Sequence, residues 1–155
     1  FITERRFTGD LKTAGPGTSG PSGADRLCMT EARAAGLTRT FSAYLAGAPL
    51  QLRFPIRRID GVTAFATAAD LESGPAVSLE LTAAGTPATR DGAVDPCPLV
   101  WTGYANGDSE CGDWEDATEA RQGGVGSACE KTNEDWRSLR AEPCGSEARL
   151  YCLEQ

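Results

Sequence analysis

The feature that most constrains this chain is a set of six cysteines in a sequence that contains no histidine. An even number of cysteines in a chain of 155 residues is typical of three disulfides and of an oxidising compartment. The absence of histidine removes Ser–His–Asp triads, histidine metal ligands and histidine acid–base catalysis. No two cysteines have the C-x-x-C spacing of zinc ribbons or thioredoxin-type redox sites. These patterns predict a secreted or cell-surface protein.

Length and charge narrow the classes of partner. A chain of 155 residues, 40% of them hydrophobic, predicts a single domain over residues 1–155 with a packed core. No run of eighteen apolar residues occurs, so we expect no membrane span. Residues 1–60 carry nine basic and five acidic side chains, whereas residues 61–155 carry six basic and seventeen acidic ones. The acidic second part would repel a polyanion, so nucleic acid is not an expected partner.

The pattern of apolar residues predicts an α+β fold with one main helix. The segment from Ser22 to Asp25 has the S-x-x-D form of a capping box, which predicts a helix that runs to about Ala35. Gly36 stands where a glycine commonly terminates a helix. Cys28 falls on the apolar face of this helix, so we expect it to be buried.

Alternation of apolar and polar residues predicts the strands, and turn residues predict the breaks between them. The predicted strands cover residues 1–7, 41–46, 50–56, 77–81, 98–103 and 149–154. Asp60-Gly61 predicts a hairpin turn, and residues 68–72 predict one short helical turn. The segments predicted to be irregular are residues 8–23, 84–97 and 105–127. Long irregular segments in compact domains are usually functional or tied down.

A series of short motifs spans about 130 residues of the chain. The motifs are Gly23-Ala24-Asp25, Cys28, Ala32-Arg33-Ala34, Gly36-Leu37, Thr40-Phe41, Leu45, Arg57-Arg58, Val100-Trp101 before Gly103, Cys111-x-x-Trp114, and finally Cys144 with Cys152-Leu153-Glu154. In this order they resemble the endostatin-like domains of the C-type-lectin-like superfamily. The pattern is also similar to bacterial secreted endostatin-like proteins, some of which are adhesins that bind host matrix and plasma proteins.

The resemblance implies the C-type-lectin-like, endostatin-type version of an α+β fold. That fold has one main helix, twisted and mostly antiparallel strands, and long loops tied by disulfides. Its first and last strands pair and so close the domain. A non-catalytic binding role is the function that the resemblance implies.

The resemblance also implies a disulfide pattern, which the count of cysteines alone does not provide. Six cysteines allow fifteen pairings. The endostatin pattern contains two nested pairs, and the two cysteines outside the pattern are then left to pair with each other. The expected pairs are Cys28–Cys152, Cys111–Cys144 and Cys97–Cys129. The main competing arrangement exchanges partners, giving Cys111–Cys129 with Cys97–Cys144.

The chain departs from the endostatin pattern where that family binds heparin and zinc. The family's heparin site uses one arginine just before Gly-Ala-Asp and one just after C-x-x-W, and these positions here hold Ser22 and Glu115. Since Glu115 would repel a sulfate, heparin binding is not expected. The family's zinc site is built on histidines, which this chain lacks. We expect no cofactor.

Calcium is the metal for which the acidic segment supplies some ligands. Asn106, Asp108, Glu110 and Asp113 offer oxygens at short spacing, as calcium sites require. However, Cys111 takes the place of the turn glycine of a calcium loop, and no glutamate follows at the right distance. The EPN or QPD and WND motifs of calcium-dependent lectins are also missing. We therefore predict a solvated acidic loop without metal.

Two aromatic side chains are candidates for contact with a ligand. Trp101 lies in the middle of a predicted strand and is expected in the core. Trp114 stands close to a cysteine in sequence, and we expect it to pack on a disulfide. Tyr104 and Trp136 remain as the aromatic residues predicted to be exposed and available for binding.

Four charged side chains complete the list of ligand candidates. Arg53 and Arg57 would share one face of a strand, where they would attract an acidic partner. Glu115 and Asp116 belong to the acidic segment. For the arginines, ion pairing with the acidic second part of the chain itself is the favoured interpretation, and ligand contact is the alternative.

These features predict a secreted or surface-displayed binding module without catalytic activity, and the expected ligand is an extracellular protein, with a glycan second. One alternative is a structural domain of a larger surface protein with no ligand of its own. Another is a calcium-dependent carbohydrate-binding module. An enzyme is not expected, because Ser and Thr lack a histidine base, paired cysteines leave no thiol, and no pattern marks a substrate groove.

Overall fold

The computed structural model describes residues 1–88, 97–104 and 110–155, and it has a mixed α+β architecture. The helices are α1 (Leu11–Ala14), α2 (Gly20–Ala34) and α3 (Asp70–Ser73). The strands are β1 (Phe41–Ala43), β2 (Ile56–Arg57), β3 (Thr63–Phe65), β4 (Leu99–Trp101), β5 (Gln122–Ser127), β6 (Arg140–Pro143), β7 (Arg149–Leu150) and β8 (Cys152–Glu154). A 3₁₀ turn covers Glu134–Trp136.

The main helix, α2, begins earlier than predicted because a different serine caps it. The Ser19 hydroxyl accepts a hydrogen bond from the Ser22 N–H, and the Ser22 hydroxyl accepts one from the Ser19 N–H. This reciprocal pair is a capping box, so the helix starts at Gly20. Gly36 follows the helix with a φ of 76°, as predicted for a terminating glycine. The segment 8–23, predicted to be irregular, therefore contains α1 and the first turn of α2.

Segments from opposite ends of the sequence pair with one another, as the resemblance implies for the first and last strands. Ile2 forms a bridge with Tyr151, and Phe7 forms one with Ala148. Strand β1 pairs antiparallel with β8. The Cys28–Cys152 disulfide fastens α2 to this pair of strands. We call these paired segments the terminal closure, and it comprises residues 1–7, 41–43 and 148–154.

The four-stranded sheet has the order β6-β5-β4-β7, and its first two strands, β6 and β5, were not predicted. β5 lies within residues 105–127, so the prediction that this whole segment is irregular is wrong. Its glycines are needed for close packing, because a Cβ at Gly126 would lie 1.9 Å from the Trp136 carbonyl oxygen. A Cβ at Gly123 would lie 2.6 Å from the Cys111 Sγ. The absence of side chains at Gly123 and Gly126 therefore lets neighbouring parts of the chain pack directly against the backbone of β5.

Two predicted strands form little regular pairing. Within residues 50–56 only Ile56 belongs to a strand, and Pro55 beside it has no N–H for a ladder. Within residues 77–81 only Leu81 forms a bridge. The hairpin between β2 and β3 is present as predicted, and its turn contains Gly61 with a φ of 85°.

Three disulfides are present, and all six cysteines are paired. They are Cys28–Cys152, Cys97–Cys129 and Cys111–Cys144, the pairs that the resemblance leads us to expect. Three disulfides are compatible with an oxidising extracellular compartment. In the parts of the chain that the structure describes, no helix is long and apolar enough to cross a membrane.

Candidate ligand-binding site

Two of the predicted ligand candidates, Trp136 and Tyr104, belong to one aromatic cluster. Trp136 is its centre, with its ring 4.9 Å from that of Tyr44, 5.1 Å from Phe65 and 5.5 Å from Tyr151. The exposed fraction of Trp136 is 0%, so the prediction that it is exposed is wrong. Local sequence did not reveal this burial, because the rings around Trp136 come from distant strands and loops. Trp136 supports the site from below.

Tyr104 forms the half-buried edge of the aromatic cluster. Its ring stacks on Tyr44 with 5.3 Å between centroids and 17° between planes. The guanidinium carbon of Arg137 lies 5.0 Å from the centre of the same ring. The Ser138 hydroxyl donates a hydrogen bond of 2.9 Å to the Tyr104 carbonyl. Tyr104 is therefore held in place and still partly exposed.

Arg137 is a nearly buried cation that pairs with an exposed carboxylate. Its guanidinium donates hydrogen bonds to both carboxylate oxygens of Glu72 on α3. The side chain of Arg137 is 13% exposed, whereas that of Glu72 is 74% exposed. The backbone at Arg137 is fixed, because its carbonyl accepts a hydrogen bond of 2.5 Å from the Thr102 hydroxyl. We call Tyr44, Tyr104, Arg137 and Glu72 the tyrosine–arginine site.

Protonation states at the tyrosine–arginine site follow from burial and from its own contacts. Burial raises the pKa of Tyr44, and the hydrogen bond with Tyr104 raises it further. Tyr44 is therefore a neutral phenol near neutral pH. Burial by itself lowers the pKa of Arg137, but Tyr44 and Glu72 offset this effect and leave the pKa raised. The site thus contains a permanent cation beside the neutral phenol of Tyr44.

Two buried donors at this site have no hydrogen-bond acceptor among the described residues. They are the indole Nε1 of Trp136 and the Nε of Arg137. A buried donor without an acceptor costs about 1–3 kcal/mol. Groups of this kind are uncommon in folded proteins and are often completed by a water or an ion.

The structure places the two candidate arginines away from this network. Arg57 is exposed in β2 and donates a hydrogen bond of 3.1 Å to the Gly61 carbonyl. Arg53 is exposed before β2 and has no hydrogen bond or ion pair within the described part of the chain. Their role as ligand contacts stays a prediction.

The two candidate carboxylates of the acidic segment are engaged within the chain. Glu115 pairs with Lys12 at 2.8 Å, which joins a base of the first part to an acid of the second. Asp116 accepts a hydrogen bond of 2.7 Å from the Thr118 N–H, and its Oδ2 lies 3.1 Å from the Arg121 Nε. Hydrogen bonding to Thr118 and the charge of Arg121 lower the pKa of Asp116.

The calcium candidates are only partly covered by the structure. Asn106 and Asp108 lie outside the described residues. Glu110 is half-buried and Asp113 is exposed. Across residues 1–88, 97–104 and 110–155, no group of three or more Cys, Asp or Glu side chains is arranged to hold a metal ion.

The C-x-x-W motif forms an unusual turn. Its four residues, Cys111–Trp114, all have positive φ values between 47° and 63°. Left-handed backbone costs roughly 1–2 kcal/mol for each residue other than glycine, so other contacts must maintain it. Trp114 is 1% exposed, stands edge-on to Trp101 at 6.0 Å, and shares a buried cluster with the Cys111–Cys144 disulfide. This agrees with the expectation that Trp101 and Trp114 belong to the interior.

A separate cleft of about 410 Å³ lies between the last turn of α2 and residues 82–86. Its walls comprise four alanines, two threonines and the charged residues Glu4, Arg5 and Glu31. The Glu31 carboxylate accepts hydrogen bonds from the backbone N–H groups of Glu4 at 2.6 Å and Arg5 at 3.2 Å. This carboxylate is thus already engaged in fixing the segment that follows Thr3. Sequence reasoning did not anticipate the cleft.

Sequence reasoning also missed three members of the tyrosine–arginine site. Glu72 and Arg137 stand 65 positions apart, and no local pattern reports a contact of that range. Tyr44 was an ordinary member of a predicted strand. The one available signal was that Arg137 directly follows Trp136, which had been selected as an aromatic candidate.

No protein-family model matches this chain, and no curated protein matches it either.

Proposed function

We propose that this chain is a secreted or surface-displayed binding module without catalytic activity, and that its ligand is an extracellular protein. The tyrosine–arginine site is the surface that we assign to this ligand. The observation that carries the proposal is Tyr104, which is partly exposed while its ring is held against Tyr44 and Arg137.

We further propose that the fold is C-type-lectin-like and of the endostatin type. Three features support this. Helix α2 leads into strand β1, β1 pairs with the late strand β8, and a disulfide fastens the helix to that pair. The nested Cys111–Cys144 disulfide ties the later segment, as in the pattern that the motifs resemble.

The composition of the site supports a protein ligand. Tyrosine, tryptophan and arginine are the residues most enriched among those that dominate protein–protein affinity. Tyr104 and Arg137 are both positioned by contacts that already exist, so little side-chain entropy would be lost on binding. The rigid frame beneath them is typical of a surface that binds without a large change of shape.

A binding assay with matched variants tests this proposal. The protein is immobilised and exposed to a panel of purified extracellular-matrix and plasma proteins. We expect saturable binding of at least one of them, a loss of affinity of about tenfold or more for Tyr104→Ala, and little change for Tyr104→Phe, which keeps the ring. Arg39→Ala is the control, because Arg39 is an exposed arginine that pairs with Glu154 elsewhere.

Further treatments separate the alternatives. Binding that survives chelation of calcium and enzymatic deglycosylation of the partner supports a protein ligand. Binding that disappears after either treatment would instead favour a carbohydrate-binding module. No binding to any member of the panel would contradict the proposal and favour a structural domain without its own ligand.

A further inference from the structure

The ion pair of the tyrosine–arginine site joins two very unequal partners. Arg137 is 13% exposed and is packed over the ring of Tyr104. Glu72 is 74% exposed and reaches Arg137 from a helix of only four residues. An exposed carboxylate on a buried arginine can be exchanged for another carboxylate at small cost, because only the arginine must stay in place.

The segment that carries Glu72 is anchored to the same part of the chain as Arg137. The Thr132 N–H donates a hydrogen bond of 3.1 Å to the carbonyl of Pro75 just after α3. Gly74 packs so closely that a Cβ there would lie 2.4 Å from the Asn133 carbonyl oxygen. This anchor holds the backbone of α3 near Arg137, while the side chain of Glu72 remains in solvent.

The guanidinium of Arg137 is prepared for a carboxylate. Arginine binds carboxylates through two parallel N–H groups, and it also stacks on aromatic rings. Glu72 takes hydrogen bonds only from the two terminal nitrogens, and the Arg137 Nε has no acceptor within the described residues. Tyr44 adds a neutral phenol that also contacts the guanidinium. The two terminal nitrogens are therefore held in the orientation that a carboxylate requires, and Glu72 uses them in the free protein.

We propose that Arg137 and Tyr104 form a subsite for one carboxylate of an acidic peptide segment, and that Glu72 occupies this subsite in the free protein. The proposal rests on the proposed function, since it names the chemical group that the ligand brings to the same surface. Glu72 acts as an internal competitor. Binding of the ligand exchanges one carboxylate for another and frees Glu72 to solvent.

Charge around the subsite favours a single carboxylate over a polyanion. Glu134 and Asp135 lie in the 3₁₀ turn directly before Trp136 and Arg137. Residues 61–155 as a whole carry seventeen acidic and six basic side chains. A sulfated or phosphorylated polymer would be repelled by this surrounding charge, whereas one acidic side chain would reach the arginine alone.

The experiment follows the three tryptophan indole N–H signals of the ¹⁵N-labelled protein during titration with short blocked peptides. The probes are Ac-Gly-Glu-Gly-NH₂, its Gln counterpart, and Ac-Gly-Gly-Gly with a free carboxyl terminus. The methyl glycoside of N-acetylneuraminic acid serves as a glycan source of the same carboxylate. The proteins are the wild type, Glu72→Gln, Glu72→Gln with Arg137→Lys, and Glu154→Gln, which instead releases the exposed Arg39.

We expect the Glu peptide to bind Glu72→Gln about tenfold more tightly than the wild type, as for a competitor that occupies the subsite nine-tenths of the time. The Gln peptide should not bind. Adding Arg137→Lys to Glu72→Gln should abolish the gain in affinity for the Glu peptide, and Glu154→Gln should bind it as the wild type does. If only the peptide with a free carboxyl terminus binds, the carboxylate that the subsite recognises is that of a chain terminus and not that of an acidic side chain. Equal affinities for wild type and Glu72→Gln, or a response to the sugar acid but not to the peptides, would overturn the proposal.

The two assays together distinguish failure of the carboxylate subsite from failure of the proposed function. If Tyr104→Ala loses binding to an extracellular protein while Glu72→Gln and the peptides give no effect, the binding surface stands and the carboxylate subsite is wrong. If the peptides bind through Arg137 but no extracellular protein binds, the subsite stands and the proposed function is wrong.

Discussion

The terminal closure and the tyrosine–arginine site are built in opposite ways. In the closure, segments from opposite ends of the sequence pair through backbone hydrogen bonds, and all three residues of β1 are buried. The tyrosine–arginine site instead draws its side chains from short elements and holds them by ring stacking and one ion pair. The proposed function therefore assigns recognition to a part of the molecule that is built differently from the closure.

The largest expected effect comes from breaking the disulfide of the closure. Cys28→Ser with Cys152→Ser opens a loop whose cysteines are 124 positions apart, which corresponds to about 5 kcal/mol in the chain-entropy model. Cys97→Ser with Cys129→Ser opens a loop of separation 32, and the corresponding value is about 4 kcal/mol. Because Cys28 and Cys152 are also fully buried, two hydroxyls would be placed in the core. Denaturant unfolding of both variants should show the larger loss for the first.

Equal losses in the two double variants would contradict the view that the closure is the main source of stability. A greater loss for Cys97→Ser with Cys129→Ser would show that this disulfide stabilises the fold more than the closure does.

A smaller effect is expected where the sheet meets the aromatic cluster. Gly126→Ala places a Cβ against the carbonyl oxygen of Trp136, a backbone atom that cannot move alone. We expect a loss of about 2–3 kcal/mol in the free energy of unfolding and, since Trp136 supports Tyr104 through Tyr44, weaker ligand binding. Gln122→Ala in the same strand is the control, because Gln122 is exposed. Unchanged stability of Gly126→Ala would show that β5 is less tightly packed than described.

The smallest expected effect is a pH dependence of stability that arises at Asp25, where α2 contacts β1. Burial raises the pKa of Asp25, although its carboxylate accepts a hydrogen bond of 2.8 Å from the Ala43 N–H. The folded state therefore binds a proton at Asp25 more tightly than the unfolded state does. The stabilisation from this proton is complete below the unfolded pKa and is lost as pH rises through the folded pKa, above about pH 4.

Asp25→Asn removes this titration and keeps an oxygen for the Ala43 N–H. The stability of the wild type relative to Asp25→Asn should therefore be constant below the unfolded pKa of about 4 and fall as the pH rises above it in denaturant titrations. A difference that stays constant or rises with pH would contradict the burial of this carboxyl group.

The strands of the closure were largely predictable from local patterns, whereas their pairing and the Cys28–Cys152 disulfide were expected only from the resemblance. Alternation predicted the segments that pair, and Gly36 predicted the end of α2. Strand β5 was missed because its glycines resemble those of a loop. Only the positions of the Trp136 carbonyl and the Cys111 sulfur show why side chains are excluded there.

The candidate site was predictable only in part. Composition selected Tyr104 and Trp136 as aromatic candidates, and both belong to the aromatic cluster. Their exposure was not predictable, because burial of Trp136 depends on rings contributed by Tyr44, Phe65 and Tyr151. The Glu72–Arg137 pair depends on contacts that local spacing does not encode.

The most direct test measures stability and binding together in one variant from each region. Phe41→Leu alters the closure, where the ring of Phe41 packs on Phe1 at 5.0 Å, and Tyr104→Ala alters the proposed binding surface. The two readouts are the melting temperature and the affinity for the panel protein that binds the wild type most tightly. We expect Phe41→Leu to lower the melting temperature and leave affinity unchanged below it, and Tyr104→Ala to lower affinity about tenfold with the smaller thermal shift. The reverse pattern, or a loss of affinity only in proportion to lost stability, would contradict the separation of the two regions.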